Sequence, residues 1–170
     1  MHFCKKAVDC FNYHVFDPSK KVAEVIAYGK ISEFDDKCCT DKLEIVREIS
    51  WEELLMMVNM GEGCDGKLNT GDKNFGHRNT GCRNTGNYNS GNCNCGGNNS
   101  GDYNLGYVNT GNSNDGRWNS GNYNMGNYNT GDANIGHGNT GKMNIGDDNT
   151  GDFNLCNRSG GCFNTVCLLY

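Results

Sequence analysis

From Asn69 to Arg158 the chain is written in units of five, Asn-Xaa-Gly-Xaa-Xaa, with asparagine heading every unit to Asn154 and glycine two places later from Gly71 to Gly151. A period this strict predicts a solenoid, in which each coil stacks on an equivalent neighbour. Composition alone would argue for disorder, because a chain with 25 glycines and a mean hydropathy of −0.72 buries little apolar area. Strict register argues the opposite. Repeated backbone hydrogen bonds and side-chain ladders replace much of what a large apolar core supplies.

The residue after each asparagine alternates between two series. One is hydroxylic: Thr70, Thr80, Ser90, Ser100, Thr110, Ser120, Thr130, Thr140 and Thr150. The other is mostly apolar: Phe75, Thr85, Cys95, Leu105, Asp115, Met125, Ile135, Ile145 and Leu155. The true period is therefore ten. In a ten-residue coil these slots are expected to form two ladders pointing into a narrow interior from opposite sides, and nine such coils would span ~43 Å at the strand spacing. A four-sided coil of twenty residues halves that length. Asparagine suits stacking because its amide both donates and accepts. Glycine fits a corner that needs a positive φ or a close backbone approach.

Residues 1–58 do not repeat and read as a small α+β cap. Phe11 to Phe16 is expected to be a strand, 17–20 a turn and Lys21 to Tyr28 the returning strand; Asp17 could instead cap a helix with Pro18 at its first position. Residues 32–41 look like a loop and 43–49 a further strand. Ser50 with Glu53 is a capping-box signature that opens a short helix over 51–58, with Trp51, Leu54, Leu55 and Val58 on one face, covering the first coil. The domain organisation expected is 1–58 cap, 59–158 solenoid, and 159–170 an apolar tail ending Leu168-Leu169-Tyr170 that caps the last coil or makes a homodimer.

The net charge of −5 sits mainly in the cap, and the repeat block is nearly neutral. That disfavours direct nucleic-acid binding and also a strongly acidic DNA mimic. Lys73, Arg78 and Arg83 make the first coils basic, whereas Asp132, Asp147, Asp148 and Asp152 make the last ones acidic. Eleven cysteines, an odd number without a CxxC pair, follow no signal stretch. They are expected to be reduced small fillers in a cytoplasmic protein, with Cys82, Cys93, Cys95, Cys156 and Cys167 occupying ordinary repeat slots. No apolar run is long enough to span a membrane.

The repeat resembles the pentapeptide-repeat family, in its Asn-Xaa-Gly-Xaa-Xaa decapeptide branch, over residues 59 to about 168. The resemblance implies a mainly β fold, a right-handed β-solenoid. It does not extend to residues 1–58. The slot before each asparagine departs from the better-characterised branch of the family, holding Lys73, Arg83, Tyr123 or Asp148 in place of a small inward residue.

Rows of like groups do not converge as an active site must, so no catalytic, cofactor or metal site is expected. The four histidines are scattered, and the glycines lack the strand and helix context of a phosphate loop. Function is expected at the fourth and fifth slots, where Tyr88, Tyr103, Trp118, Tyr123 and Tyr128, with Arg78 and Arg83, form outward edges suited to a protein partner. A ten-residue coil would stack Trp118 and Tyr128 on one edge and place Tyr103 and Tyr123 on the other. The leading expectation is a non-enzymatic interaction module. The resemblance brings a second, inhibition of a DNA-binding enzyme such as a type II topoisomerase by duplex mimicry through Asp132, Asp147, Asp148 and Asp152. A third is binding to ice or another regular surface by the hydroxyl ladder, which inward-pointing hydroxyls would exclude.

Overall fold

The computed structural model describes residues 1–161. The N-terminal part is an antiparallel sheet of β1 (His2–Phe3), β2 (Val22–Glu33) and β3 (Cys38–Ile49) in the order β1-β3-β2, with a 3-10 helix over Ala7–Asn12. The strand expected over 11–16 is absent. Phe11 lies in the 3-10 helix and faces the core, where its ring meets Phe16 edge-on at 4.7 Å and Phe16 in turn meets Trp51 at 4.7 Å. The apolar residues there converge on one cluster and do not alternate across a sheet.

The turn at 17–20 forms, with Lys20 N–H bonded to Asp17 C=O at 3.0 Å, and the chain then enters β2. Its partner is β3, with Val22 opposite Ile49. Most of the stretch expected to be a loop belongs to these strands, and the turn narrows to Phe34 N–H bonded to Lys37 C=O at 2.9 Å. Polar residues persist in the hairpin because they pair across it: Lys21 with Glu48 at 2.9 Å and Arg47 with Glu24 at 2.8 Å.

Helix α1 (Trp51–Val58) starts as its sequence requires, with the Ser50 hydroxyl accepting from Glu53 N–H at 3.2 Å. The box is one-sided, because the Glu53 carboxylate turns to Arg47 at 2.7 Å. Leu54 and Val58 bury beside Phe11, with Val22, Ile49 and Trp51 packed around them. The helix runs directly into the solenoid, where Val58 C=O accepts from Leu68 N–H at 2.9 Å. Two further contacts join cap and rod: Lys67 Nζ reaches Phe11 C=O at 3.2 Å, and the Phe16 and His77 rings meet edge-on at 6.1 Å.

The coil is ten residues long. Parallel bridges connect each position to the one ten later on two faces, from Met60 with Thr70 to Thr150 with Gly160, and from Asp65 with Phe75 to Ile135 with Ile145. On the second face five short strands form a parallel sheet: β4 (Thr85–Asn87), β5 (Cys95–Gly97), β6 (Leu105–Tyr107), β7 (Asp115–Arg117) and β8 (Met125–Asn127).

The interior is asparagine. Every asparagine from Asn69 to Asn154 at the head of a unit is 0–1% exposed, whereas the hydroxylic and apolar series expected to point inward both face outward. The physical reason is the thinness of the coil. A ten-residue loop leaves its own carbonyls and amides around the axis, and each must find a partner there. Asparagine supplies both kinds: Asn114 Nδ2 donates to Gly121 C=O at 2.8 Å and to Asn104 Oδ1 at 3.0 Å, and Asn114 Oδ1 accepts from Asn124 N–H at 3.1 Å. A leucine there could do none of this. Among the described residues no buried side-chain nitrogen or oxygen lacks a hydrogen-bond partner.

The corners use two positive-φ residues in each unit. Gly121 has φ 120°, and a Cβ on it would lie 2.0 Å from the Gly131 carbonyl oxygen of the next coil, so both conformation and space demand glycine. The fifth slot is also left-handed, but eighteen of its residues carry side chains, including Val108 at φ 58° and Trp118 at φ 60°. Repetition of the ladder holds them there.

Candidate functional site

The left-handed fifth slots form two edges of the rod. On one, Arg78 lies over the Tyr88 ring at 5.5 Å and Trp118 stacks on Tyr128, with centroids 6.4 Å apart and planes 3° from parallel. On the other, Lys73, Arg83, Tyr103 and Tyr123 succeed one another at multiples of the coil. Tyr88, Tyr103, Trp118, Tyr123 and Tyr128 are all between 53% and 68% exposed. The predicted stack of Trp118 on Tyr128 is present. It covers part of each ring and leaves the outer surface of both open.

The acidic candidates divide. Asp132, Asp147 and Asp152 occupy fourth slots, and each carboxylate accepts a main-chain N–H from the preceding coil: Asn122 at 2.9 Å, His137 at 2.8 Å and Lys142 at 2.7 Å. Asp148 is a fifth-slot residue, beside Arg158 at 3.9 Å on the open surface. The fourth slot is thus partly structural. Asn87, Asn92, Asp102, Asn112 and Asn127 accept in the same way. His77 Nδ1 does so from Lys67 N–H at 3.1 Å, and burial, followed by the charges of Lys67 and Arg78, lowers its pKa. Sequence reasoning missed this role, although the excess of asparagine, aspartate and histidine at that slot was a usable signal.

Two flat faces separate the edges. One is the outward row of threonine and serine from Thr70 to Thr150, and the other carries Phe75, Leu105, Met125, Ile135 and Ile145, all exposed. Among the described residues no group of three histidine, cysteine or acidic side chains could hold a metal ion, and no helix is long and apolar enough to cross a membrane.

The family model for pentapeptide repeats (8 copies) matches residues 58–102, 103–147 and 128–165. The chain belongs to the pentapeptide-repeat family. Residues 1–57 match a second model, a domain of unknown function (DUF7666), over the segment that forms the sheet, the 3-10 helix and most of α1. No curated protein and no solved structure matches the chain significantly. All nine described cysteines are free thiols, four in the cap (Cys4, Cys10, Cys38 and Cys39) and five in the pentapeptide-repeat rod. Cys64 fills an asparagine slot and its Sγ lies 3.1 Å from Gly71 C=O, the carbonyl an asparagine amide would reach. Cys156 fills a glycine slot and is buried, while Cys167 and the tail residues Leu168, Leu169 and Tyr170 lie outside the described residues.

Proposed function

We infer that this pentapeptide-repeat protein is a non-enzymatic, cytoplasmic interaction module that engages a protein partner along its aromatic edges. The observation that carries this reading is the alignment of exposed aromatic rings on a rigid ladder: Trp118 and Tyr128 on one edge, Tyr103 and Tyr123 on the other. Aromatic residues with few rotatable bonds are the usual anchors of protein interfaces, and a rod whose backbone is already ordered loses little further entropy when it binds. The apolar row is a further contact surface on the same support.

Capture of partners by the full-length protein, compared with Trp118→Ala/Tyr128→Ala and Tyr103→Ala/Tyr123→Ala variants of matched melting temperature, tests the reading. A partner lost with one edge pair and kept with the other is expected. Unchanged capture by both variants would exclude the aromatic edges.

A second reading is favoured by the outward hydroxyl row, which supplies one Thr or Ser hydroxyl on each coil from Thr70 to Thr150, a spacing suited to ice or another crystalline surface. Thermal hysteresis and ice recrystallisation assays decide it, with Thr110→Lys as the disrupting variant. Duplex mimicry draws less support, because the rod is nearly neutral and three of its four candidate acids accept main-chain N–H groups. A gyrase supercoiling assay without inhibition is the expected result.

A further inference from the structure

A groove of about 370 Å³ runs along one edge of the first coils, lined by Lys73, Cys82, Arg83, Cys93 and Tyr103 together with Asp72 and Asn92. Cys82 and Cys93 are neighbours across successive coils: Cys93 N–H donates to Cys82 C=O at 2.9 Å, and Cys82 N–H donates to Asn92 Oδ1 at 2.8 Å. Both thiols are half-buried. Among the described residues neither Lys73 nor Arg83 is ion-paired, and the one carboxylate in the groove, Asp72, has an oxygen committed to Glu62 N–H at 2.9 Å. Two cations therefore share the groove with one carboxylate and two thiols whose main chains are tied into the ladder.

We propose that this groove is a thiol-modification site for a small disulfide that carries carboxylates, of which glutathione disulfide is the chemical type. Reactive cysteines occupy partly exposed, electropositive surroundings, and this groove combines both conditions. Lys73 and Arg83 attract the carboxylates of the reagent, and Tyr103 provides a flat wall for its peptide-like body. In the step, the Cys82 or Cys93 sulfur, having given up its proton, attacks one sulfur of the reagent. The reagent's S–S bond breaks as the new S–S bond forms, and the departing thiolate takes up the proton. No further oxidant is required.

The molecule contains its own controls. Cys95 is exposed on the flat face between Thr85 and Leu105, without a charge in its row at those rungs. The Cys4 thiol is pushed up to about 12, chiefly by burial and by its hydrogen bond with Cys10. The experiment treats the reduced full-length protein with glutathione disulfide or with cystamine, a cationic disulfide of similar reactivity, and follows loss of free thiol at each cysteine by alkylation and tandem mass spectrometry. Expected is consumption of Cys82 or Cys93 ahead of Cys95 with glutathione disulfide, a preference over cystamine of about fivefold at low ionic strength, and its collapse in high salt. Lys73→Gln/Arg83→Gln should abolish the preference while leaving the Cys95 rate unchanged. Equal rates at Cys95, no discrimination between the two reagents, or a preference that survives salt would each overturn the proposal, and the salt series decides it in the unaltered protein even where the variant folds poorly.

Discussion

Asn84 donates both its main-chain N–H and its side-chain Nδ2 to a single atom, Oδ1 of Asn74, at 3.0 Å each. One oxygen thus satisfies two donors of the coil below, and the arrangement repeats along the axis. The interior is a column of amides in which each level prepares the acceptor for the next.

Replacing one amide nitrogen in that column should be far more damaging than the same change outside it. Asn114→Asp sets a carboxylate against Gly121 C=O and Asn104 Oδ1, both acceptors, in a fully buried position. A loss of roughly 3–5 kcal/mol is expected. Asn87→Asp at a fourth slot, where an acceptor toward His77 N–H is all that is needed, should change stability by about 0.5 kcal/mol or less. Urea midpoints of the two variants provide the comparison.

Gly121→Val and Asn122→Val are adjacent substitutions with unequal consequences. The first drives a Cβ to 2.0 Å from the Gly131 oxygen and should prevent soluble folding. The second removes an acceptor from Asn112 N–H at 2.9 Å and should cost about 1–2 kcal/mol. Comparable expression and melting temperature for the pair would contradict the account of the corner.

Val108 is a β-branched residue held at φ 58°, a conformation that asparagine tolerates better. Val108→Asn should raise stability by roughly 0.5–1 kcal/mol, read as an increase in melting temperature.

At position 64 the asparagine column is interrupted by a thiol, so no side-chain oxygen stands ready for Asn74 N–H in the way that Asn69 Oδ1 accepts from Asn79 N–H at 3.0 Å. Cys64→Asn should complete the ladder beneath α1 and add about 1 kcal/mol, measurable by denaturant titration.

His77 accepts Lys67 N–H through Nδ1 and so must remain unprotonated in the folded rod. Its folded pKa lies below the ordinary 6.5, so the unfolded chain binds the proton more readily. The stability it contributes is complete above 6.5 and is lost as pH falls through that value toward the folded pKa. His77→Asn keeps an acceptor without titrating, and the difference in melting temperature between wild type and variant should grow on acidification from pH 7.5 to 5.5.

The strict period, the ten-residue alternation, the glycine corners and the Ser50 helix start were all legible in the sequence. The direction of the slots was not, because hydrophobicity is the usual guide to what is buried and here it points the wrong way. A clue was present: Phe75, Asp115 and Ile145 share one series, and no single interior rung accepts phenylalanine, aspartate and isoleucine in turn, whereas the heading asparagine never varies from Asn69 to Asn154. In the cap, Phe11 and Phe16 look like strand residues, but their burial depends on Trp51 and Leu54, which are distant in sequence. For the candidate edges, the pairing of Trp118 with Tyr128 followed from the period alone, whereas the backbone duty of Asp132, Asp147 and Asp152 depended on knowing which way the fourth slot turns.

Because the column of asparagines is alike at every level from Asn69 to Asn154, a segment of ten residues within it could be duplicated or removed while the column keeps the same contacts. The length of the rod can therefore drift freely while its cross-section stays constant. Such a molecule behaves as a ruler with interchangeable graduations, on which the spacing between two surface features is changed by copying a rung.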